Sequence, residues 1–220
     1  MTGKIAFQKW HHRAEGETHS LVFPDGCRDV LIVSSVGVRN HIVLTEFDFR
    51  PRGVRLRPGT KITGYRLRPG AVINPSTLDA IAMEGADVEE ILGNALALAN
   101  ELDDVIAALT LPGSTVQSVS KSCGISVRTM QRRFRQSCLP PPDYWRLLAR
   151  ARRAASMLSS PLPLAELACA CDFSDQAHMT RELISWFGGA PTQLRRDPAI
   201  LDLLRQPALG NWTGEQISTR

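Results

Sequence analysis

The sequence predicts an α+β chain: a small β-rich N-terminal domain with a helical segment, then an all-α C-terminal domain with two helix-turn-helix motifs. Three observations predict it. Short β-branched runs bounded by Gly, Pro or Asp occupy the stretch up to Leu67. Apolar spacing turns helical from Ser76 onward. Between residues 112 and 196 one helix-turn-helix pattern occurs twice, with a period of about 48 residues.

The expected strands are Ser20 to Phe23, Val30 to Val33, His41 to Leu44, Val54 to Leu56 and Lys61 to Leu67, enough for a small sheet or partial barrel. From Ser76 to Leu109, the residues Ile91, Leu92, Ala95, Leu98, Leu102, Val105, Ile106 and Leu109 make a mostly apolar helical face. Leu111-Pro112-Gly113-Ser114 reads as a linker. The chain therefore divides into residues 1–110, β-rich with a helical segment, residues 111–197, which carry the two helix-turn-helix motifs, and a tail of residues 198–220.

In the first motif, Val116, Val119, Ser120 and Cys123 form a short stripe of apolar or small residues, followed by a turn at Gly124-Ile125 and a capping Ser126. In the second, Leu164, Leu167, Ala168 and Cys171 repeat the stripe, Asp172-Phe173 replaces the turn and Ser174 replaces the cap. Two helices crossing steeply want a small residue where their backbones approach, and Ser120 and Ala168 stand there. The turn wants a left-handed backbone, which Gly124 adopts freely and Asp172 less comfortably. Cys123 and Cys171 are expected in the core. Met130 and Phe134 correspond to Met179 and Leu183 after a slip of one residue, which places an extra residue in the second recognition helix.

The residues that follow each turn are suited to reading bases. Met130 and Phe134 face the core, leaving Arg128, Thr129, Gln131, Arg132 and Arg135 toward solvent or DNA. Met179, Leu183 and Phe187 mark the buried side of the second helix, leaving Gln176, His178, Thr180 and Arg181. Arginine pairs bidentately with guanine and glutamine with adenine. Arg133, Arg135, Arg152 and Arg153 are read as phosphate contacts or a solvated face, and His178 as a DNA contact or an idle surface histidine. A connecting helix, Pro141 to Leu158, carries the stripe Tyr144, Leu147, Leu148, Ala151, Ala155 and Leu158.

Charge follows the same division. Residues 112–197 hold 12 Lys/Arg against 6 Asp/Glu, whereas residues 1–111 hold 12 against 14. The positive excess lies with the motifs, where it can displace counterions from phosphates.

The two turns, the connecting helix and the closing segment from Phe187 to Arg196 (Phe-Gly-Gly-Ala-Pro-Thr-Gln-Leu-Arg-Arg) resemble the AraC/XylS family of bacterial transcription regulators, over about Leu111 to Arg196. The resemblance implies that both recognition helices enter successive major-groove segments on one face of double-stranded DNA. It places base contacts at Arg128, Gln131 and Arg132, then at Gln176, His178, Thr180 and Arg181. It also implies RNA polymerase as a partner, with a small-molecule effector and a homodimer left open. Asp172 departs from the family's usual Gly, Leu183 from an aromatic residue and Gly189 from a small polar or branched one. Two N-terminal strings, Phe23-Pro24-Asp25-Gly26-Cys27-Arg28-Asp29 and Gly64-Tyr65-Arg66-Leu67-Arg68-Pro69-Gly70, are similar to a sensor-like domain found in some members, which implies a sensor or dimerisation domain over residues 1–110 ahead of a DNA-binding domain over residues 111–197. They also read as plain turn chemistry at Pro24-Asp25-Gly26 and Pro69-Gly70.

Enzyme readings find little support, so no catalytic residue, metal or cofactor is expected. His11, His12, His19 and His41 lack the spacing of a cupin metal site, and Cys27 alone does not make the zinc cluster of a repair alkyltransferase. The alternative is an N-terminal metal-binding or catalytic domain targeted to DNA by the helix-turn-helix part. Five cysteines (Cys27, Cys123, Cys138, Cys169 and Cys171) show no disulfide pattern, with Cys27 and Cys138 the candidates for redox sensing. Arg50, Arg52, Arg55, Arg57, Arg66 and Arg68 read as a solvated strand face or an anion site. No apolar run is long enough to span a bilayer, and Lys9-Trp10-His11-His12-Arg13 interrupts any signal-peptide core, so a cytoplasmic protein without a membrane partner is expected.

Overall fold

A computed structural model describes residues 6–35, 37–96 and 101–212. Six strands are seen among them: β1 (Phe7–Arg13), β2 (Thr18–Val22), β3 (Asp29–Ser35), β4 (Val38–Leu44), β5 (Arg52–Leu56) and β6 (Lys61–Leu67). They form two antiparallel sheets, one in the order β1-β6-β3-β4 and one pairing β2 with β5. Strand β1 was not expected, because the residues it turns inward are Gln8 and Trp10 rather than aliphatics. Its place depends on Gly64 of β6, the partner of Trp10 in register. A Cβ on Gly64 would sit 2.1 Å from the indole ring, so only glycine lets the ring lie flat on the sheet.

The helical stretch after the sheet is three helices rather than one: α1 (Pro75–Ile81), α2 (Val88–Leu96) and α3 (Glu101–Leu109). Gly85 breaks it with φ +76°, and the Asp87 carboxylate accepts from the backbone N–H of Glu89 and Glu90 to start α2. Ile81, Leu92 and Leu96 cover the sheet residues Val30, Tyr65 and Leu67. Leu102, Val105, Ile106 and Leu109 of α3 instead join the core of the C-terminal helices, while Leu98 lies outside the described residues.

The remaining helices are α4 (Val116–Ser122), α5 (Val127–Gln136), α6 (Pro142–Met157), α7 (Leu164–Ala170), α8 (Gln176–Phe187), α9 (Pro191–Arg195) and α10 (Pro198–Arg205). Helix α6 is the axis around which they pack. Trp145, Leu148, Ala151, Ala154 and Ala155 are buried along it, and the Trp145 indole donates to Pro140 O at 3.0 Å. Phe134 of α5 lies 6.4 Å from the Trp145 ring, and Met179, Leu183 and Phe187 of α8 complete the same core. The stripe read from sequence omitted Trp145 and included Leu147, which is half-buried.

The sheets are fastened to these helices by aromatic contacts. Phe23 meets Phe187 at 6.1 Å, Phe47 meets Trp145 at 5.5 Å and Phe49 meets Tyr144 at 4.8 Å, while the Tyr144 hydroxyl donates to Asp48 O. Beyond residue 197, α10 packs on α6 with Leu201 and Leu204 buried, and Leu209 N donates to Asp25 O at 2.9 Å.

Candidate nucleic-acid interface

Each recognition helix is set by its own turn. In the first motif, Thr115 and Ser118 make a reciprocal capping box that starts α4, with Thr115 Oγ1 accepting from Ser118 N at 2.9 Å. Val116, Val119 and Ser120 are buried, and the Ser120 hydroxyl donates to Gln117 O, so the small polar residue is satisfied at the helix crossing. Gly124 takes the left-handed turn at φ +65°. Ser126 then caps α5, accepting from Thr129 N at 3.1 Å and sharing a hydrogen bond with the Thr129 hydroxyl. Met130 and Phe134 are fully buried, which leaves Arg128, Gln131, Arg132, Arg133 and Arg135 exposed.

The second motif makes the same frame with different atoms. Leu167 and Ala168 are buried and Asp172 turns the chain at φ +61°. That strained position is braced: the Asp172 carboxylate accepts from Gly113 N at 3.0 Å and lies 3.5 Å from Arg153. The cap of α8 is Asp175 and not Ser174, because the Asp175 carboxylate accepts from His178 N at 2.6 Å. Met130 lies four residues after Ser126, and Met179 four after Asp175. The extra residue of the second motif therefore sits in the turn, not in the recognition helix.

Ser174 has another task, its hydroxyl lying 3.0 Å from His178 Nδ1. The other side of the imidazole faces Arg150 at 3.5 Å and Glu182 at 3.7 Å, and the ring stands edge-on to Phe173. Arg150 pairs with Glu182 at 3.2 Å and lies 4.5 Å over Phe173. His178 is thus held within the motif. Thr129 and Thr180 are half-buried and engaged locally, the latter donating to Gln176 O at 2.8 Å, whereas Gln176 and Arg181 are exposed.

Several expectations are corrected. Cys123 is exposed beyond the end of α4, while Cys171 is buried with its sulfur 3.5 Å from that of Met157. Arg152 is neither a phosphate contact nor a solvated residue. It is only 4% exposed, and its Nη2 donates to Leu204 O and Gln206 O. Burial pulls its guanidinium below the ordinary value. Its spacing carries this signal, since it stands four positions after Leu148 of the apolar stripe. Arg153 donates to Thr110 O at 2.8 Å and braces Asp172.

The arginines of the N-terminal strands do not converge on one anion site. Arg66 is buried, with Asp25 at 3.1 Å and Asp29 at 3.5 Å; Arg68 pairs with Asp103 and Arg52 with Asp48, both at 2.7 Å. Arg50, Arg55 and Arg57 are exposed. The two sensor-like strings therefore meet: Asp25 and Asp29 come from the first, Arg66 from the second, and Pro207 O accepts from Arg66 Nη1 at 3.5 Å. Cys27 is buried beside them, and burial first, then Asp25, pushes its thiol well up, which disfavours a reactive thiolate there. All five cysteines are free thiols. Among the described residues no group of three His, Cys, Asp or Glu side chains is arranged to hold a metal ion, and no helix is long and apolar enough to cross a membrane.

Two capped recognition helices carried by one long helix, with basic and amide side chains on their outer faces, define a helix-turn-helix DNA-binding domain of the kind used in transcription regulation. A family described as helix-turn-helix domain matches residues 119–197. The C-terminal part of the chain is similar to AraC-type helix-turn-helix domains. Among solved structures, the chain is similar to a probable AraC family transcriptional regulator from Rhodopseudomonas palustris, with 25% identity and a TM-score of 0.37, over 43% of this chain and 89% of that one. It is also similar to a regulator with an AraC-type DNA-binding domain from Chromobacterium violaceum, with 22% identity and a TM-score of 0.37, over 49% and 90%. ToxT from Vibrio cholerae aligns over 87% of this chain and 98% of its own, with 8% identity and a TM-score of 0.46. No curated protein matches the chain. Gly189, a departure from the family pattern, has a local reason: a Cβ there would lie 2.9 Å from the Leu194 side chain.

Proposed function

We propose that the protein is a sequence-specific transcription regulator that lays α5 and α8 into successive major-groove segments on one face of double-stranded DNA. One observation carries this reading. Both helices bury one side completely in the α6 core, through Met130 and Phe134 and through Met179, Leu183 and Phe187, so that their opposite faces are held in a fixed relation. Those faces present Arg128, Gln131, Arg132 and Arg135 from α5 and Gln176 and Arg181 from α8. Thr129, His178 and Thr180 stand beside them with side chains fixed by local hydrogen bonds, and contribute shape more than free donors. The N-terminal sheets control this domain, through an effector or through self-association, by way of the Arg66 cluster and α10. RNA polymerase is the partner that a DNA-bound regulator of this kind addresses.

Selection of bound DNA from a random pool, followed by footprinting, tests the reading. The expected result is an enriched site with two protected segments on one face, separated by about one helical turn of roughly 10 base pairs. Recovery of unenriched DNA, or protection of one segment only, overturns it.

A further inference from the structure

Between the two sheets opens a cleft of about 900 Å³. Trp10, Leu31 and Ile62 line it from the larger sheet and Val54 and Leu56 from the smaller, giving it an apolar body of the size that takes small organic ligands. Its charged lining residues are Asp29, Glu46, Asp48 and Arg52. Arg52 is the sole Lys or Arg among the lining residues, and Asp48 already holds it at 2.7 Å. Asp29 accepts from the Trp10 indole at 2.9 Å and faces Arg66. Glu46 is exposed and outside salt-bridge distance of any cation among the described residues, its electrostatic partner being the buried Arg28 guanidinium, which does not line the cleft. Burial raises the pKa of Asp48, so its carboxylate is incompletely solvated. His12 and His19 also line the cleft and offer ring N–H donors, but a carboxylate ligand would meet no lining Lys or Arg without an acidic partner, whereas an ammonium group would meet the Asp29, Glu46 and Asp48 carboxylates.

We infer that this cleft binds a small amphiphilic cation, with its apolar body between the sheets and its ammonium head at Glu46 and Asp48. The inference rests on the proposed control of the DNA-binding domain by the N-terminal sheets, and supplies both a ligand class and a route. Leu203 and Gln206 at the end of α10 also line the cleft, and the Leu204 and Gln206 carbonyls accept from Arg152 of α6, the helix that sets the spacing of the two motifs. A ligand that shifts α10 thereby shifts the anchorage of α6.

The test uses three probes with one body and different heads, 4-phenylbutylamine, 4-phenylbutanol and 4-phenylbutyrate, titrated calorimetrically into the full chain without DNA. The amine is expected to bind about tenfold more tightly than the carboxylate, with the alcohol between them. Glu46→Gln is expected to weaken the amine about three- to fivefold and leave the alcohol unchanged. Val43→Trp, a substitution at a partly exposed lining position, fills the cleft and removes binding of all three. Binding of the carboxylate equal to or tighter than that of the amine, amine binding unaffected by either variant, or no binding by any probe overturns the inference. Footprinting without a probe tests the DNA reading by itself, so failure of one is separable from failure of the other.

Discussion

Arg66 Nη2 lies 3.1 Å from Asp25 Oδ2, joining two sequence strings 41 positions apart and closing the junction between the sheets and the C-terminal chain. Gly26, beside Asp25, has φ +73°, and Leu209 packs where its Cβ would be, so this turn also receives the tail. Removing the guanidinium would leave Asp25 and Asp29 partly buried without their cation. Arg66→Ala is therefore expected to destabilise the chain by about 3–5 kcal/mol, as breaking a buried pair from one side does. Asp25→Asn, which keeps an acceptor for Cys27 N, should lose less. Urea unfolding of the two variants measures the difference; a loss under about 1 kcal/mol for Arg66→Ala shows that the cluster is dispensable.

Asp172 sets two effects against each other. Its left-handed backbone, at φ +61°, costs about 1–2 kcal/mol in a non-glycine residue. Its carboxylate braces Gly113 N and Arg153, and losing such a partly exposed hydrogen bond costs about 0.5–1.5 kcal/mol. The turn geometry alone predicts that glycine stabilises; the contacts predict near cancellation. Asp172→Gly should thus change stability by less than about 1 kcal/mol, and Asp172→Ala, which keeps the strain and loses the contacts, should fall below it by about 1 kcal/mol. Thermal unfolding of both variants checks the order; equal melting points would remove backbone strain from the account.

The C-terminal domain was legible in the sequence because its signals are local. Burial of Met130, Phe134, Met179, Leu183 and Phe187 follows from spacing along a single helix. The N-terminal junction was not, because the pairing of Asp25 and Asp29 with Arg66 is long-range and its members are charged, a type that reads as surface. Arg152 reads as a surface residue by its type, although its spacing places it on the buried stripe. Ser174 and Asp175 are both good caps for α8, and the turn length that chooses Asp175 is not written in composition. Of the candidate base-reading residues, the sequence could order the faces but could not show that His178 is tied to Ser174, Arg150 and Glu182.

The cap of α8 also makes a pH prediction. The hydrogen bond from His178 N, ahead of the smaller contribution from the Ser174 hydroxyl, lowers the folded-state pKa of Asp175. A carboxyl group with a lowered folded pKa stabilises the fold above its unfolded pKa, and that contribution is lost as pH falls through the folded value. Asp175→Ala should therefore melt earlier than the parent chain at pH 7, with the gap closing in the acid range below the ordinary aspartate pKa. Circular dichroism melts across pH 2 to 7 follow it; a gap that stays constant with pH means that the charge of Asp175 contributes nothing to the cap.

Arg132 and His178 separate base reading from support of the motif. Arg132 is exposed on the turn of α5 that carries Gln131, and Arg181 holds the outward place on α8. Arg132→Ala and Arg181→Ala are each expected to cost about 1–3 kcal/mol at the selected DNA site and to relax base preference there, with little change in melting. His178→Ala removes the imidazole between Ser174, Arg150 and Glu182 and leaves Phe173 without its edge-on neighbour, so its effect falls first on stability. Its melting point should drop while the preferred bases stay the same at a temperature where it remains folded. Binding-site selection repeated with each variant decides between the two roles. A changed base preference in His178→Ala moves that residue into the reading set, and an unchanged preference and affinity in both arginine variants removes α5 and α8 as the reading helices.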